Sequence, residues 1–306
     1  MNIRDLEYLV SLAEHKHFRR AADACYVSQP TLSGQIRKLE DELGIVLLER
    51  TSRKVLFTQS GLLLVKQAKT VLREIKLLKE MASNQGKEMN GPLHMGVIPT
   101  IGPYLLPYIV PALKNTFPDL ELFLYEAQTQ KLLEQLETGH LDCVILASVD
   151  EAEAFIEVPM FNERMLLAVS DEHPLSKEDS IKMDKLKGYE MLMLDDGHCL
   201  RNQALDYCFA AGAKENQNFR ATSLETLRNM VSANTGITLI PELALLNEGS
   251  RKGIKYLPCF SPEPSRGISL VYRPGSPLRG RYERIANKVS EIIKPLLNNR
   301  KNGIDI

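Results

Sequence analysis

At 306 residues, 44% hydrophobic and 25% charged, the chain has a globular composition and the length for two or three domains with cores of their own, which excludes a disordered or fibrous protein. No run of about 18 apolar residues occurs, and Arg4, Asp5 and Glu7 stand where a signal peptide needs a basic end and an unbroken apolar core, so the sequence reads as cytoplasmic with no membrane partner. The formal charge of -1 hides an asymmetry: residues 1–90 carry 15 Lys/Arg against 11 Asp/Glu, a basic front third compatible with nucleic acid. The five cysteines, an odd number without zinc spacing, argue against a disulfide framework and against a metal or other cofactor.

In chain order, Leu6, Leu9, Leu12 and Ala13 form the apolar stripe of a first helix ending near His15. A short second helix follows, with Phe18, Ala21, Ala22 and Cys25 inward. Ser28 is a natural N-cap for a third helix, and Pro30 sits in its first turn, where a missing N–H costs nothing. Leu32, Ile36, Leu39 and Leu43 bury one face of that helix, which leaves Gln29, Pro30, Thr31, Ser33, Gly34 and Arg37 outward until Gly44 stops it. Short polar groups, an amide and a guanidinium on one helix face suit base edges in a major groove. Residues 49–54 then read as a β-wing whose Arg50, Arg53 and Lys54 meet phosphates.

These residues resemble a known family. Phe18-Arg19-Arg20-Ala21-Ala22, Val27-Ser28-Gln29-Pro30-Thr31-Leu32-Ser33 and Ile36-Arg37-Lys38-Leu39-Glu40 are similar to the winged helix-turn-helix of LysR-type transcriptional regulators, and that layout covers the whole chain. The resemblance implies an α/β protein with an N-terminal winged helix-turn-helix (1–58), a long dimerisation helix (59–89) and a two-lobed regulatory domain of periplasmic-binding-protein-like architecture (90–306). It further implies promoter DNA and RNA polymerase as partners, nucleoid association, self-assembly as a dimer or tetramer, and regulation rather than enzymatic catalysis.

Thr58 caps the long helix, along which Leu64, Ala68, Val71, Ile75, Leu78 and Ala82 recur at heptad spacing, the seam of a dimerisation coil. Beyond Asn90-Gly91-Pro92 strands and helices alternate. Strands are expected at 93–98, 121–125, 141–147, 155–161, 165–170, 191–194, 219–222, 237–240, 255–258 and 267–272, and helices at 103–114, 129–138, 223–234 and 279–297. This is an α/β domain with largely parallel sheets. Two lobes, about 90–162 with 267–306 and 163–266, would leave a ligand cleft between them.

Gly197 to Cys208 reads as a helix with apolar Leu200, Ala204 and Leu205. Cys199 and Cys208 would then stand about 13.5 Å apart along the axis and about 180° around it. A disulfide tolerates about 7 Å between Cα atoms. Helix and bond exclude one another, which makes the segment a candidate switch. A helix N-terminus favours a Cys199 thiolate, whereas Asp195 and Asp196 oppose it, so a cation from elsewhere is needed. Cys25, Cys143 and Cys259 read as structural thiols.

Leu194-Asp195-Asp196-Gly197-His198-Cys199-Leu200-Arg201, Phe219-Arg220-Ala221-Thr222-Ser223-Leu224-Glu225, Ile98-Pro99-Thr100 and Glu126-Ala127-Gln128-Thr129 are similar to one branch of the family, its hydrogen-peroxide sensors. This resemblance implies that Cys199 is the peroxide-attacking thiol and Cys208 the resolving one, that Arg266 is the distant cation, and that Thr100, Thr129 and His198 help to seat peroxide. It also implies activation of oxidative-stress genes and resetting by a glutaredoxin or thioredoxin. The competing expectations are a metabolite-sensing regulator with incidental cysteines and a thiol peroxidase carrying a DNA-binding appendage.

Overall fold

The computed structural model describes residues 1–49, 55–83, 89–246 and 252–301. They fall into two compact units, Met1–Gly86 and Lys87–Ile306.

In the first unit, α1 (Ile3–His15) opens with a reciprocal cap between Asn2 and Asp5, and α2 (Phe18–Ala24) and α3 (Gln29–Leu43) follow. The hydroxyl of Ser28 accepts from the Thr31 N–H at the start of α3, and Gly44 ends it with φ +68°. Ala21 and Ala22 are buried against α1, where the Ser11 hydroxyl donates to the Ala21 carbonyl. Leu6, Leu9, Leu12, Leu32, Ile36 and Leu39 complete this core, while Cys25, expected inside it, is only half-buried as the C-cap of α2. Short strands β1 (Leu48–Glu49) and β2 (Leu56–Phe57) pair antiparallel as the base of the wing. Its expected phosphate contacts Arg50, Arg53 and Lys54 lie outside the described residues.

The long helix α4 (Gln59–Ser83) is capped by Thr58, whose hydroxyl accepts from the Gly61 N–H at 2.9 Å. Gly61 has no room for a side chain, because a Cβ there would run into the Leu47 carbonyl. The heptad reading needs correction at its first half. Val65 and Ala68 are buried in the core of their own unit, so Ala68 is not free for a second helix, while half-buried Leu64 packs partly against that core. Val71 and Leu78, 36% and 68% exposed, and half-buried Ile75 keep the seam available further along.

In the second unit the strands are β3 (Gly91–Val97), β4 (Leu120–Glu126), β5 (Cys143–Ala147), β6 (Ile156–Ser170), β7 (Ile181–Lys182), β8 (Glu190–Leu194), β9 (Lys214–Ala221), β10 (Thr238–Pro241), β11 (Ile254–Leu257), β12 (Cys259–Phe260) and β13 (Ser265–Tyr272). Helices α5 (Gly102–Thr116), α6 (Thr129–Glu137), α7 (Cys199–Ala210), α8 (Leu224–Ser232) and α9 (Arg279–Lys301) connect and cover them. The main sheet has the order β10-β6-β13-β5-β3-β4, with β11 also on β6.

Two expectations change here. The strands expected at 155–161 and 165–170 are one strand, β6, because polar Asn162-Glu163-Arg164 interrupts the apolar pattern without interrupting the backbone ladder. The sheets are mixed rather than largely parallel. β3 runs parallel to β4 and β5, and β8 to β9, but β13 is antiparallel to β5 and β6, and β10 and β11 are antiparallel to β6. The physical cause is the path of the chain: β6 crosses from one half of the unit to the other and β13 returns beside it, so the two must oppose. The ladder on β6 changes partner from β13 to β10 between Arg164 and Met165, and Glu163 faces Arg266 across it. No helix of the described residues is long and apolar enough to cross a membrane.

Candidate redox site

β3 and β4 run side by side with Val97 opposite Glu126. Thr100 and Thr129 lie three residues beyond these partners, so both emerge at the carboxyl end of the parallel strands, where open α/β sheets place their ligands. Thr100 is held by Arg266, whose Nη1 donates to Oγ1 at 3.1 Å and Nη2 to the carbonyl at 3.2 Å. The Thr129 hydroxyl, on the first residue of α6, is buried and has no hydrogen-bond partner among the described residues. A buried donor left open in this way is suited to a small polar guest.

The start of α7 is brought to the same edge. Gln128, the residue before Thr129, donates from Nε2 to the Asp196 carbonyl at 3.3 Å and lies against Gly197, where a Cβ would stand 2.8 Å from Gln128 Oε1. Gly197 has φ +90°, so both backbone geometry and close approach require glycine there. His198 is the extended N-cap residue of α7 and gives the helix no side-chain cap. Its imidazole is buried, and this desolvation lowers its pKa against a smaller opposing effect of Asp195.

Cys199 is the first residue of α7 and Cys208 the tenth; both are buried free thiols in one continuous helix. The helix therefore holds them apart by the spacing that the sequence implies. At about 100° per residue, Cys199 shares its side of α7 with exposed Asp206 and Ala210, whereas Cys208 points the opposite way into the core. The contact between Gln128 and the preceding loop brings the start of α6 to the loop that leads into Cys199. Cys208 is wholly buried, and desolvation, reinforced by the neighbouring Cys259 thiol, pushes its pKa up to about 12. It is a protonated, unreactive thiol for as long as α7 stays folded. Burial likewise raises Cys259 to about 11 and pushes Cys143 far up.

The arginines at this end of the unit are each paired with an acid. Arg266 is fully buried and paired with Glu163 at 2.8 Å, so its charge is largely committed. Of the two acids beside Cys199, Asp196 is answered locally. Asp196 pairs with Arg220 at 2.9 Å and Arg201 at 3.2 Å, and Arg201 grips the buried carboxylate of Glu215 with Nη2 at 2.8 and 2.9 Å. This network ties the first turn of α7 to β9. Gln128, Arg201 and Arg220 stand inside the motifs quoted above without their pairing being legible there, and Glu163 and Glu215 carry no mark in the sequence, because each acts through a partner on another element. Among the described residues, no group of three or more His, Cys, Asp or Glu side chains could hold a metal ion.

The Cys208 thiol makes stability depend on pH with a definite sign. Its folded value of about 12 exceeds its ordinary 9.0, so its contribution is complete below pH 9 and is lost as pH rises from 9 towards 12. Denaturant unfolding of the reduced protein should show Cys208→Ala flattening the alkaline limb by about 1.4 kcal/mol between pH 8 and pH 10. Equal slopes for variant and wild type would mean that Cys208 is not desolvated.

A winged helix-turn-helix joined to an α/β unit whose strand ends gather a small polar site defines a DNA-binding regulator with a sensing domain. Residues 3–62 match the bacterial regulatory helix-turn-helix of the lysR family, and residues 86–291 match the LysR substrate binding domain. The chain belongs to the LysR family of transcription regulators. It is 77% identical over 98% of its length to the whole of the "Hydrogen peroxide-inducible genes activator" of Haemophilus influenzae. Crystal structures of the oxidized and reduced forms of OxyR, at 59% and 56% identity, each cover 68% of this chain and 98% of their own, with a TM-score of 0.63.

Proposed function

We propose that this regulator senses hydrogen peroxide through Cys199 and Cys208 and reports it to promoter DNA. The observation that carries the proposal is the placement of two free thiols on opposite sides of one helix, too far apart to bond while it is folded. The Cys199 thiolate attacks one peroxide oxygen, the O–O bond breaks, and hydroxide leaves to be protonated to water. The resulting sulfenic acid condenses with the Cys208 thiol, forming the S–S bond and releasing a second water. His198, Thr100 and the open hydroxyl of Thr129 seat the peroxide and stabilise the leaving oxygen, with Arg266 holding Thr100 in place.

Condensation requires α7 to melt, and melting breaks the Arg201 bonds to β9. A segment with two exclusive packings can shift an oligomer between two arrangements on DNA. The exposed part of the α4 seam, Val71, Ile75 and Leu78, pairs two chains, which in turn places two α3 helices on half-sites one DNA turn or a multiple apart. RNA polymerase reads the rearranged oligomer in the nucleoid, chiefly for activation, and a dithiol protein of the glutaredoxin or thioredoxin class restores both thiols. The relatives named above support this reading, as do the oxidized and reduced crystal forms among them.

The test is mass mapping of all five cysteines after one equivalent of peroxide, with promoter binding followed in parallel. A 199–208 bridge that forms and reverses with a dithiol is the expected result. Cys199 recovered as a free thiol would sink the proposal, and a bridge from Cys199 to Cys259 would remove the resolving role of Cys208.

A further inference from the structure

The turn between α2 and α3 is built around a residue that the fold itself does not want. α2 ends at its C-cap Cys25, and the next two N–H groups fold back on the helix: Tyr26 donates to the Asp23 carbonyl at 3.1 Å and Val27 to the Ala22 carbonyl at 3.0 Å. This is the Schellman arrangement, in which the residue just past the cap must be left-handed and is usually glycine. Here it is Tyr26, with φ +56°. A tyrosine in that region is strained, since its Cβ crowds the backbone. Among the described residues of the unit nothing repays the strain, because the side chain is 97% exposed.

The surroundings say what the ring is kept for. Half-buried Val27 anchors the turn to the core, and beyond it Ser28, Gln29, Pro30 and Thr31 are all exposed at the amino end of α3, the face that a helix-turn-helix presents to the groove. Arg19, Arg20, Arg37 and Lys38 are exposed on α2 and α3, the two helices that the turn joins, against exposed Asp23 on α2, a balance that favours an anionic partner. Tyr26 thus continues an existing nucleic-acid face, at the rim where the first turn of α3 meets the backbone of the duplex.

We infer that Tyr26 is a DNA-backbone contact: its hydroxyl donates to a phosphate oxygen flanking the groove that α3 enters, and its ring lies against the adjoining sugar. Such a contact fixes register without reading sequence. It is distinct from the base-facing positions Gln29, Thr31 and Ser33, and no ligand other than DNA is needed to account for it.

The experiment uses the full-length reduced protein, an operator duplex and a scrambled duplex of equal length, titrated over a range of salt concentrations, together with thermal unfolding. Tyr26→Gly should unfold at a higher temperature than wild type, because the turn then holds its favoured residue. The same variant should bind both duplexes about tenfold more weakly, the worth of one hydrogen bond to a charged group. Tyr26→Phe should reproduce most of that loss with stability unchanged, which keeps the question answerable if the glycine variant folds poorly. Undiminished binding by either variant overturns the inference. A loss confined to the operator duplex also overturns it, since that pattern belongs to a base reader.

Discussion

Cys199→Ser should abolish the peroxide response completely, while Cys208→Ser should stop it halfway. Serine fills the Cys199 position without disturbing α7, yet its alcohol does not attack peroxide, so thiol mapping should find Cys208 free and promoter binding indifferent to peroxide. In Cys208→Ser the attack proceeds and the sulfenic acid has no thiol to meet, so a carbon nucleophile that labels sulfenic acids should trap Cys199 one for one. Formation of a Cys199 disulfide at the wild-type rate in Cys208→Ser would contradict the pairing.

The same reaction tests whether the helix has to open. Asn202 and Asp206 are exposed on α7, and both are poorer helix formers than alanine, by about 0.7 kcal/mol each. Asn202→Ala with Asp206→Ala should therefore deepen the helical state by about 1.4 kcal/mol and slow condensation about tenfold. Sulfenate formation at Cys199 should keep its rate, because the first-turn geometry is untouched. An unchanged condensation rate would mean that the thiols meet without melting α7.

What the sequence discloses of this site, and what it hides, follows from the range of the interactions. Ser28 and Gly44 around α3, the capping hydroxyl of Thr58 and the run of helix formers in α7 are local signals, and each element forms where its residues imply. Leu64 and Ala68 are ambiguous for a physical reason: a leucine and an alanine four residues apart serve a coil seam and a helix lying on its own core equally well, and in α4 the core has Ala68 and part of Leu64. β6 reads as two strands because Asn162, Glu163 and Arg164 look like a loop until the Arg266 and Leu243 partners that bury Glu163 are known. The Arg201–Glu215–Arg220–Asp196 network is invisible for the same reason. Its members are up to 24 residues apart on a loop, a helix and a strand, and their spacing has no periodicity to detect.

Removing Glu163 should have the largest effect on stability. Its carboxylate is fully buried where β6 crosses: Oε1 accepts from Arg266 Nε at 2.8 Å, and Oε2 accepts from the Leu243 N–H at 2.9 Å in the short turn after β10. Arg266 continues the chain of bonds to Thr100, so one acid joins both crossing strands to the residues just beyond the carboxyl end of β3. Glu163→Ala leaves a buried guanidinium without its counter-charge and should cost about 3–5 kcal/mol, which lowers the unfolding temperature of a unit this size by on the order of 10 °C in a calorimetric scan. Replacing both partners, Glu163→Met with Arg266→Met, removes the uncompensated charge and should recover much of that stability. It should not recover the peroxide response, because Thr100 then has no anchor. If the double variant regains stability and also senses peroxide at the wild-type rate, the buried pair is scaffolding and Thr100 needs no positioning; if stability returns alone, the pair orients the site.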